Sequence, residues 1–586
     1  MGSKEFDEIL ENIGGMGRYQ IVMYFLLGLV GFPIGMHYMV SVFIAAVPQH
    51  HCVTPSLHNN FSRTDILNAF IPYENIDGEI QRSKCKIANW PLLLTATEGN
   101  NSIKQLIKYT RESIERNGTY ATVGKNSING LTAEYTPSNE SGIGQIYCDS
   151  WEYDTSEYTS TIVSEFDLVC GMSWRRALAS SIFMSGCMVG AVIFGGLSDR
   201  FGRKPVLLVA IVLTVICGTG AAFAPEYWSF VLLRAVVASG AAGSSIVAFV
   251  LILEMMPPKG RMIPGIFYHA FFCGGYTLLS LIAFGVRNHV HVQLIVSLPP
   301  LALLIYFWLA DESPRWLLAE GRVDEANTIL TKVARMNKAE YSDKLLIDSQ
   351  INNETGADSV NGTILDLFRT PNLRLTTLNV CFNWFVNSMV YYGLSFGVEA
   401  LPGSIYINLF FSGLVEFPGY FFAILTMNRI GRRKSLAISL VVGGLACLAC
   451  FPVPKRLALL KTILSLVGKC AISSSFAIIY VFSVELFPTV VRNSGVGAGS
   501  MCARIGGVVA PFIGQAASAW APLPYIVFGS FSIVAGLLSL LLPETLGRAL
   551  PQTLEDGENF KRKLRKQAYV EDVDMNPEEM KELNRT

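Results

Sequence analysis

Long apolar runs separated by short polar turns dominate the chain. Runs at 20–42, 174–197, 205–223, 228–253, 263–284 and 291–310 are followed, after a gap, by 375–397, 403–427, 435–451, 458–484, 495–518 and 524–543. Each is near the ~20 residues a helix needs to cross a bilayer. Open strands are excluded, because lipid leaves their backbone groups unsatisfied. The pattern predicts twelve transmembrane helices. The first run follows a polar, acidic stretch (Glu5, Asp7, Glu8, Glu11) and is too long for a signal h-region, so it reads as a span and not a cleaved leader.

Basic residues in short loops set orientation. With the N-terminus inside, the cytosolic turns hold Arg200, Arg203, Lys204, Lys259, Arg261, Arg429, Arg432, Arg433, Lys434 and Arg492, against Arg287, Lys455 and Arg456 outside. The expected organisation is a cytosolic N-terminus (1–19), a first span (20–42), an extracellular loop domain (43–173), spans two to six (174–310), a cytosolic loop (311–374), spans seven to twelve (375–543) and a cytosolic tail (544–586). The outer segment carries glycosylation sequons at Asn60, Asn100, Asn117 and Asn139. It also holds Cys52, Cys85, Cys148 and Cys170, which in an oxidising compartment suggest two disulfides with three pairings open. Its 9 basic and 15 acidic residues read as an ordinary solvated surface.

The chain repeats itself. Glu254-Met-Met-Pro-Pro-Lys-Gly-Arg261 and Glu485-Leu-Phe-Pro-Thr-Val-Val-Arg492 share one pattern at an offset of 485 − 254 = 231. Asp199-Arg200-Phe-Gly202-Arg203-Lys204 matches Asn428-Arg429-Ile-Gly431-Arg432-Arg433-Lys434 at 431 − 202 = 229. Glu312-Ser313 matches Glu544-Thr545 at 232. Two parallel six-span halves follow, a plan used by secondary transporters. Gly202 and Gly431 suit tight turns at the membrane face. Asp199, Arg200, Arg203, Glu254, Arg261, Arg429, Arg432, Glu485 and Arg492 are candidate gating residues. The expected pairs are Glu254 with Arg261 and Glu485 with Arg492, latching the cytosolic mouth.

Composition sharpens this. Hydrophobic residues make up 51% and charged residues 16%, against roughly 25% charged in soluble domains. That excludes a disordered chain, a nucleic-acid binder and a typical cytosolic enzyme. His50-His51-Cys52 and His289-Val-His291 lack a second ligand pair at zinc spacing, so no metal is expected. No P-loop appears, and neither a cofactor nor enzymatic activity is expected.

These motifs carry a resemblance. Gly195-Gly-Leu-Ser-Asp199-Arg200-Phe-Gly202-Arg203-Lys204 resembles the loop signature of the major facilitator superfamily. Glu312-Ser313-Pro314-Arg315-Trp316-Leu317 and Pro543-Glu544-Thr545-Leu546-Gly547 are similar to the ends of the two halves in its organic-ion and sugar branches. The long cysteine-bearing segment, Val490-Val-Arg492-Asn493-Ser-Gly495, Val415-Glu416-Phe-Pro418 and the N-terminal Gly17-Arg18-Tyr19-Gln20 resemble the organic cation, carnitine and organic anion transporter family. The resemblance implies the major facilitator fold, polyspecific organic-ion transport and a plasma-membrane location. Asn428 departs from the expected Asp, and four outer cysteines stand where many members have six.

Charge inside the membrane costs on the order of 3 kcal/mol or more, so it marks function. Glu416, Lys469 and Arg504 lie mid-span in the C-terminal half, and Arg234 in the outer part of span four. Lys469, Ser473, Phe476 and Tyr480 share one helix face. Trp384 and Tyr391 share a face of span seven, with Tyr392 and Phe396 on another. Aromatic faces attract ammonium groups, and Arg504 suits a carboxylate. Arg504, Glu416, Lys469, Trp384, Tyr391, Tyr392, Phe476 and Tyr480 are therefore the candidate substrate residues. The three charges could equally neutralise one another as a buried network. Within the resembled family, Arg504 looks like the Arg of carnitine and anion carriers. Glu416 looks like the acid of cation and carnitine carriers.

The expected activity is alternating-access transport of organic cations or zwitterions such as carnitine, with Na⁺ or H⁺ as candidate co-transported ions and the lipid bilayer as surroundings. Alternatives are an organic-anion carrier, a sugar porter and a ligand-binding receptor.

Overall fold

The structure, a computed structural model, describes residues 3–54, 63–76, 79–88, 145–257, 260–341, 364–548 and 550–560. The sequons at Asn60, Asn100, Asn117 and Asn139 lie outside the described residues, as does Lys259. Two compact units result: 45–176, and the rest of the chain.

Unit 45–176 contains short antiparallel pairs. Strand β1 (His50–Cys52) pairs with β6 (Trp151–Tyr153), β2 (Tyr73–Ile76) with β3 (Glu79–Arg82), and β4 (Lys86–Ala88) with β5 (Gln145–Tyr147). The cysteines pair as Cys52–Cys148 and Cys85–Cys170. Both bridges tie residues beside β1 and β4 to chain many residues downstream. They staple a unit whose ladders are too short to hold it alone.

The larger unit is all helical. Span one is Arg18–Ile44; two to six are Trp174–Phe201, Arg203–Ala222, Tyr227–Glu254, Met262–Gly285 and His289–Leu309. Seven to twelve are Pro371–Phe396, Ile405–Ile430, Arg432–Ala449, Ala458–Leu486, Thr489–Ser518 and Leu523–Ser539. Among the described residues, nine of these are long and apolar enough to cross a membrane. Span seven is diluted by Asn379, Asn383 and Asn387, which repeat at helical spacing and bond one another along one face. Span nine opens on Arg432, Arg433 and Lys434, and span twelve is short.

Three spans are broken. Span one divides into Arg18–Gly28, Gly31–Met39 and Ser41–Ile44. Span six tightens to a 3-10 turn over Pro299–Ile305, where two prolines withhold N–H donors. Span eight breaks at Val415, so Glu416 begins its second helical segment.

The repeat is structural as well as sequential. Gly202 has φ +99° and Gly431 φ +91°, each capping the following span. A side chain there would be strained and would also meet a carboxylate: a Cβ on Gly202 would lie 2.6 Å from Glu312 Oε2, and one on Gly431 2.5 Å from Glu544 Oε2. Those carboxylates fill the space with purpose. Glu312 accepts the backbone N–H groups of Arg203 and Lys204, both at 3.0 Å. Glu544 accepts those of Arg432 at 2.8 Å and Arg433 at 3.2 Å. Each half thus ends on an acid that caps the N-terminus of its own third span, where orphan donors and the helix dipole favour an anion.

Candidate substrate site

Glu416 is the centre of the interior polar chemistry. It is fully buried, at the N-terminal end of a helical segment. Lys469 Nζ lies 3.0 Å from its Oε1. Tyr420 donates to Oε2 at 2.6 Å, Cys273 at 2.8 Å and Tyr391 at 3.2 Å, and Tyr276 donates to Oε1. Spans five, seven, eight and ten therefore converge on one carboxylate. Lys469, itself 2% exposed, also donates to Ser395 Oγ at 2.5 Å and sits 3.1 Å from the centroid of the Tyr391 ring. Glu416, Lys469 and Tyr391 are thus engaged with one another. The internal-network alternative describes them better than open substrate ligands does. A buried pair persists only with this degree of hydrogen bonding, since desolvation opposes it.

Trp384 is also enclosed. Its Nε1 donates to Ser483 Oγ at 2.9 Å, and its ring packs against Gly499. It forms a wall behind Tyr480, whose ring centroid is 4.4 Å away.

The other four candidates are partly open. Arg504, Tyr392, Phe476 and Tyr480 are half-buried. Arg504 donates to the Ser500 carbonyl at 3.0 Å and to the Ser500 hydroxyl, while its Nε is buried without a partner. No carboxylate faces it among the described residues. Two turns below, a Cβ on Gly497 would meet nothing within 4 Å, leaving room along that face. Arg504 exerts an electrostatic influence on Tyr38, Tyr392 and Tyr480.

The N-terminal half supplies aromatics that the sequence reading missed. Tyr38 of span one stacks near Tyr392 at 6.1 Å and meets Phe183 and Phe272, each at 5.4 Å. His269 of span five lies 5.3 Å from Tyr480 and 6.2 Å from Tyr420, with Nδ1 unpartnered. His269, Cys273 and Tyr276 follow i, i+4, i+7, a face that was readable but buried in a strongly apolar helix. Phe272 packs on Tyr38, and His269 and Phe476 pack on Tyr480, so half-buried rings of both halves form one connected cluster.

At the face carrying the basic turns, the expected latches pair differently. Glu254 takes Arg203, through Nε at 3.0 Å and Nη2 at 2.9 Å, and Glu485 takes Arg432 at 2.9 Å. Arg261 instead bonds the carbonyls of Leu253 and Met256 and the carboxylate of Asp7 at 2.8 Å. Arg492 bonds the Phe487 carbonyl and the Thr489 hydroxyl. The reason is geometric. After the proline turn each late arginine folds back over its own turn, while Arg203 and Arg432 open neighbouring spans directly opposite the glutamates. Asp199 joins Arg203 at 3.1 Å, Arg200 stacks on Phe201, and Arg429 enters no ion pair among the described residues. Every described ion pair at this face stays within one half. The halves touch instead within the spans: Ser181 to Val508 at 2.7 Å, Tyr276 to Ser412 at 3.2 Å, Tyr406 against Phe43 and Phe284, and, nearer the basic turns, His269 against Tyr480 at 5.3 Å.

Two parallel six-helix halves with these paired turns define a major facilitator fold. Residues 121–556 match the "Sugar (and other) transporter" family model. The inward-open structure of the xylose transporter XylE from E. coli superposes with a TM-score of 0.52, covering 68% of this chain and 93% of that one at 19% identity, which bears on fold alone. More specific are the curated relatives. The chain is 38% identical to an organic cation transporter protein of Drosophila melanogaster, over 97% of both chains. It is 33% identical to human solute carrier family 22 member 16, over 95% of this chain and 93% of that one. It is also 33% identical to rat solute carrier family 22 member 2, over 96% of both. The chain belongs to solute carrier family 22, the organic cation, carnitine and organic anion transporter family of the major facilitator superfamily.

Proposed function

We propose that this protein is a plasma-membrane carrier of organic ions that bear a carboxylate, first among them zwitterions such as carnitine. The observation carrying the reading is the contrast between two interior charges. Glu416 is saturated by Lys469 and four hydrogen-bond donors. Arg504 has an unpartnered Nε and no acid beside it. A substrate carboxylate docks on Arg504, and an ammonium or apolar body lies among Tyr38, Tyr392, Phe476 and Tyr480, where cation–π contact is worth about 2 kcal/mol once desolvated. Trp384, Tyr391, Glu416 and Lys469 hold these rings in place. The saturation of Glu416 also favours a second reading, a pure organic anion, since no interior acid is left free to meet a substrate amine.

Transport proceeds by alternating access. The termini, the basic turns and segment 311–374 face the cytosol, as the loop charges indicate, and the sequon-bearing segment faces outward. The staples Arg203–Glu254 and Arg432–Glu485 keep each half rigid while the halves rock.

Flux into liposomes tests this, using carnitine, a quaternary ammonium dye and a dicarboxylate, each with and without a sodium or proton gradient. Carnitine uptake supports the zwitterion reading, and dicarboxylate uptake alone supports the anion reading. Uptake of the dye alone overturns both.

A further inference from the structure

A further buried charge lies in the N-terminal half, behind the Phe183 ring that meets Tyr38. Arg234 of span four is 4% exposed. One of its nitrogens, Nη2, donates to the His37 carbonyl at 3.1 Å, at the break in span one. Its guanidinium carbon lies 4.4 Å from the centroid of the Phe183 ring. Nη1 is buried with no partner, and no carboxylate lies within ion-pairing distance among the described residues. In the other half Lys469 has Glu416; here the equivalent neutralisation is missing.

Around it are neutral polar groups that are also incomplete. The His37 ring is wholly buried, with both nitrogens unpartnered, and within electrostatic reach of Arg234. Its Cε1 and Ser297 Oγ both crowd Gly218, at 3.3 Å and 2.5 Å from where a Cβ would stand. Gln293 donates to the Gly218 carbonyl at 3.2 Å and to Ser297 Oγ at 3.1 Å. Ser297 therefore accepts that bond and keeps its own proton to give. Spans one, four and six thus bring an imidazole N–H, a guanidinium N–H and a hydroxyl proton to one buried region, with a positive charge and no carboxylate in ion-pairing distance among the described residues.

We propose that a small monovalent anion, chloride under physiological conditions, binds between Arg234 and His37. An unpaired charge away from water needs a counter-ion, and side chains as fully buried as Arg234 and His37 favour a small one. Chloride accepts N–H and O–H donors without demanding a fixed geometry, which matches the unspent protons of Arg234, His37 and Ser297. The bound ion neutralises the half that Lys469 and Glu416 do not reach, and stabilises the break in span one that carries Tyr38 into the substrate cavity.

The test is the heat-inactivation half-life of the purified full-length protein in chloride, bromide and gluconate at matched ionic strength. The expected result is a half-life several-fold longer in chloride and bromide than in gluconate. That dependence should vanish in Arg234→Gln and survive in Arg504→Gln. Arg234→Gln should also outlast the natural protein in gluconate, because it no longer buries an uncompensated charge. Equal half-lives in chloride and gluconate overturn the proposal, as does a halide dependence that persists in Arg234→Gln or disappears in Arg504→Gln. Should Arg234→Gln not accumulate, bromide diffraction on the natural protein decides: an anomalous peak beside Arg234 Nη1 supports the site, and its absence at saturating bromide refutes it.

Discussion

Glu416 and Arg504 differ in what stands across from them, and the repeat explains how. Subtracting the offset places Glu416 opposite Cys187 (416 − 187 = 229) and Arg504 opposite Cys273 (504 − 273 = 231). Cys273 bonds Glu416 at 2.8 Å, while Cys187 is within electrostatic reach of Arg504. At these two places the N-terminal half presents a thiol where the C-terminal half presents a charge. Glu416 is then completed by tyrosines and Lys469, but Arg504 is not. Removing one member of the buried pair, by Glu416→Gln or Lys469→Met, should cost about 3–5 kcal/mol, because the survivor is left charged and unpaired. The double variant should recover much of that loss, and thermal unfolding in detergent measures all three. At the cavity wall, Tyr392→Leu should raise KM for an ammonium-bearing substrate by about tenfold, in line with a cation–π contact of 1–2 kcal/mol. Its effect on a purely anionic substrate should be smaller in parallel uptake curves.

Elements explain why the pairing at the basic turns was only partly readable. The two E-x-x-P-x-x-x-R turns and the two glycine turns recur at one offset, so their importance was legible. Their partners were not, because sequence spacing does not tell which neighbouring span faces a glutamate. Arg203 and Arg432 pair with Glu254 and Glu485 through helix packing between residues about fifty apart. The terminal acids Glu312 and Glu544 likewise announced only the ends of the halves. Their capping role depends on a fold that returns each to its own third span. Gly431→Ala should therefore fail twice, through strain of about 1–3 kcal/mol at its positive φ and through collision with Glu544. Reduced surface expression and a lower unfolding temperature are expected. Combining it with Glu544→Ala should remove the collision without restoring the wild-type value. Chain termini add a further layer. Asp7 of the N-terminal helix Ser3–Asn12 pairs with Arg261 and Arg315, while Glu558 accepts the N–H groups of Asn372 and Leu373 at the start of span seven. Neither contact could be read from local pattern, since each joins segments far apart in sequence.

On the scale of the whole molecule, apolar periodicity was the strongest signal, because lipid enforces helices wherever the chain crosses it. Span seven was recognisable despite its asparagines, two of which donate their amide N–H groups along one helix face. The candidate site was legible as a set of costly charges and aromatic stripes, all in the C-terminal half. Its other wall was not: Tyr38, His269, Phe272 and Tyr276 sit in helices whose apolar character hides them, and only the meeting of the halves gives them a role. In the proposed rocking, that meeting is also the moving part. Phe284 and Tyr406 touch across the two halves on the side away from the basic turns. Replacing both by cysteine and joining them with a bifunctional thiol reagent should stop uptake, and cleaving the linker should restore it. Undiminished uptake with the halves joined there would count against rocking. The most direct test of the whole account remains Arg504. In Arg504→Ala, uptake of a carboxylate-bearing substrate should vanish while surface expression is retained. Unchanged carnitine and dicarboxylate uptake by that variant would contradict the assignment of Arg504 as the substrate's anchor.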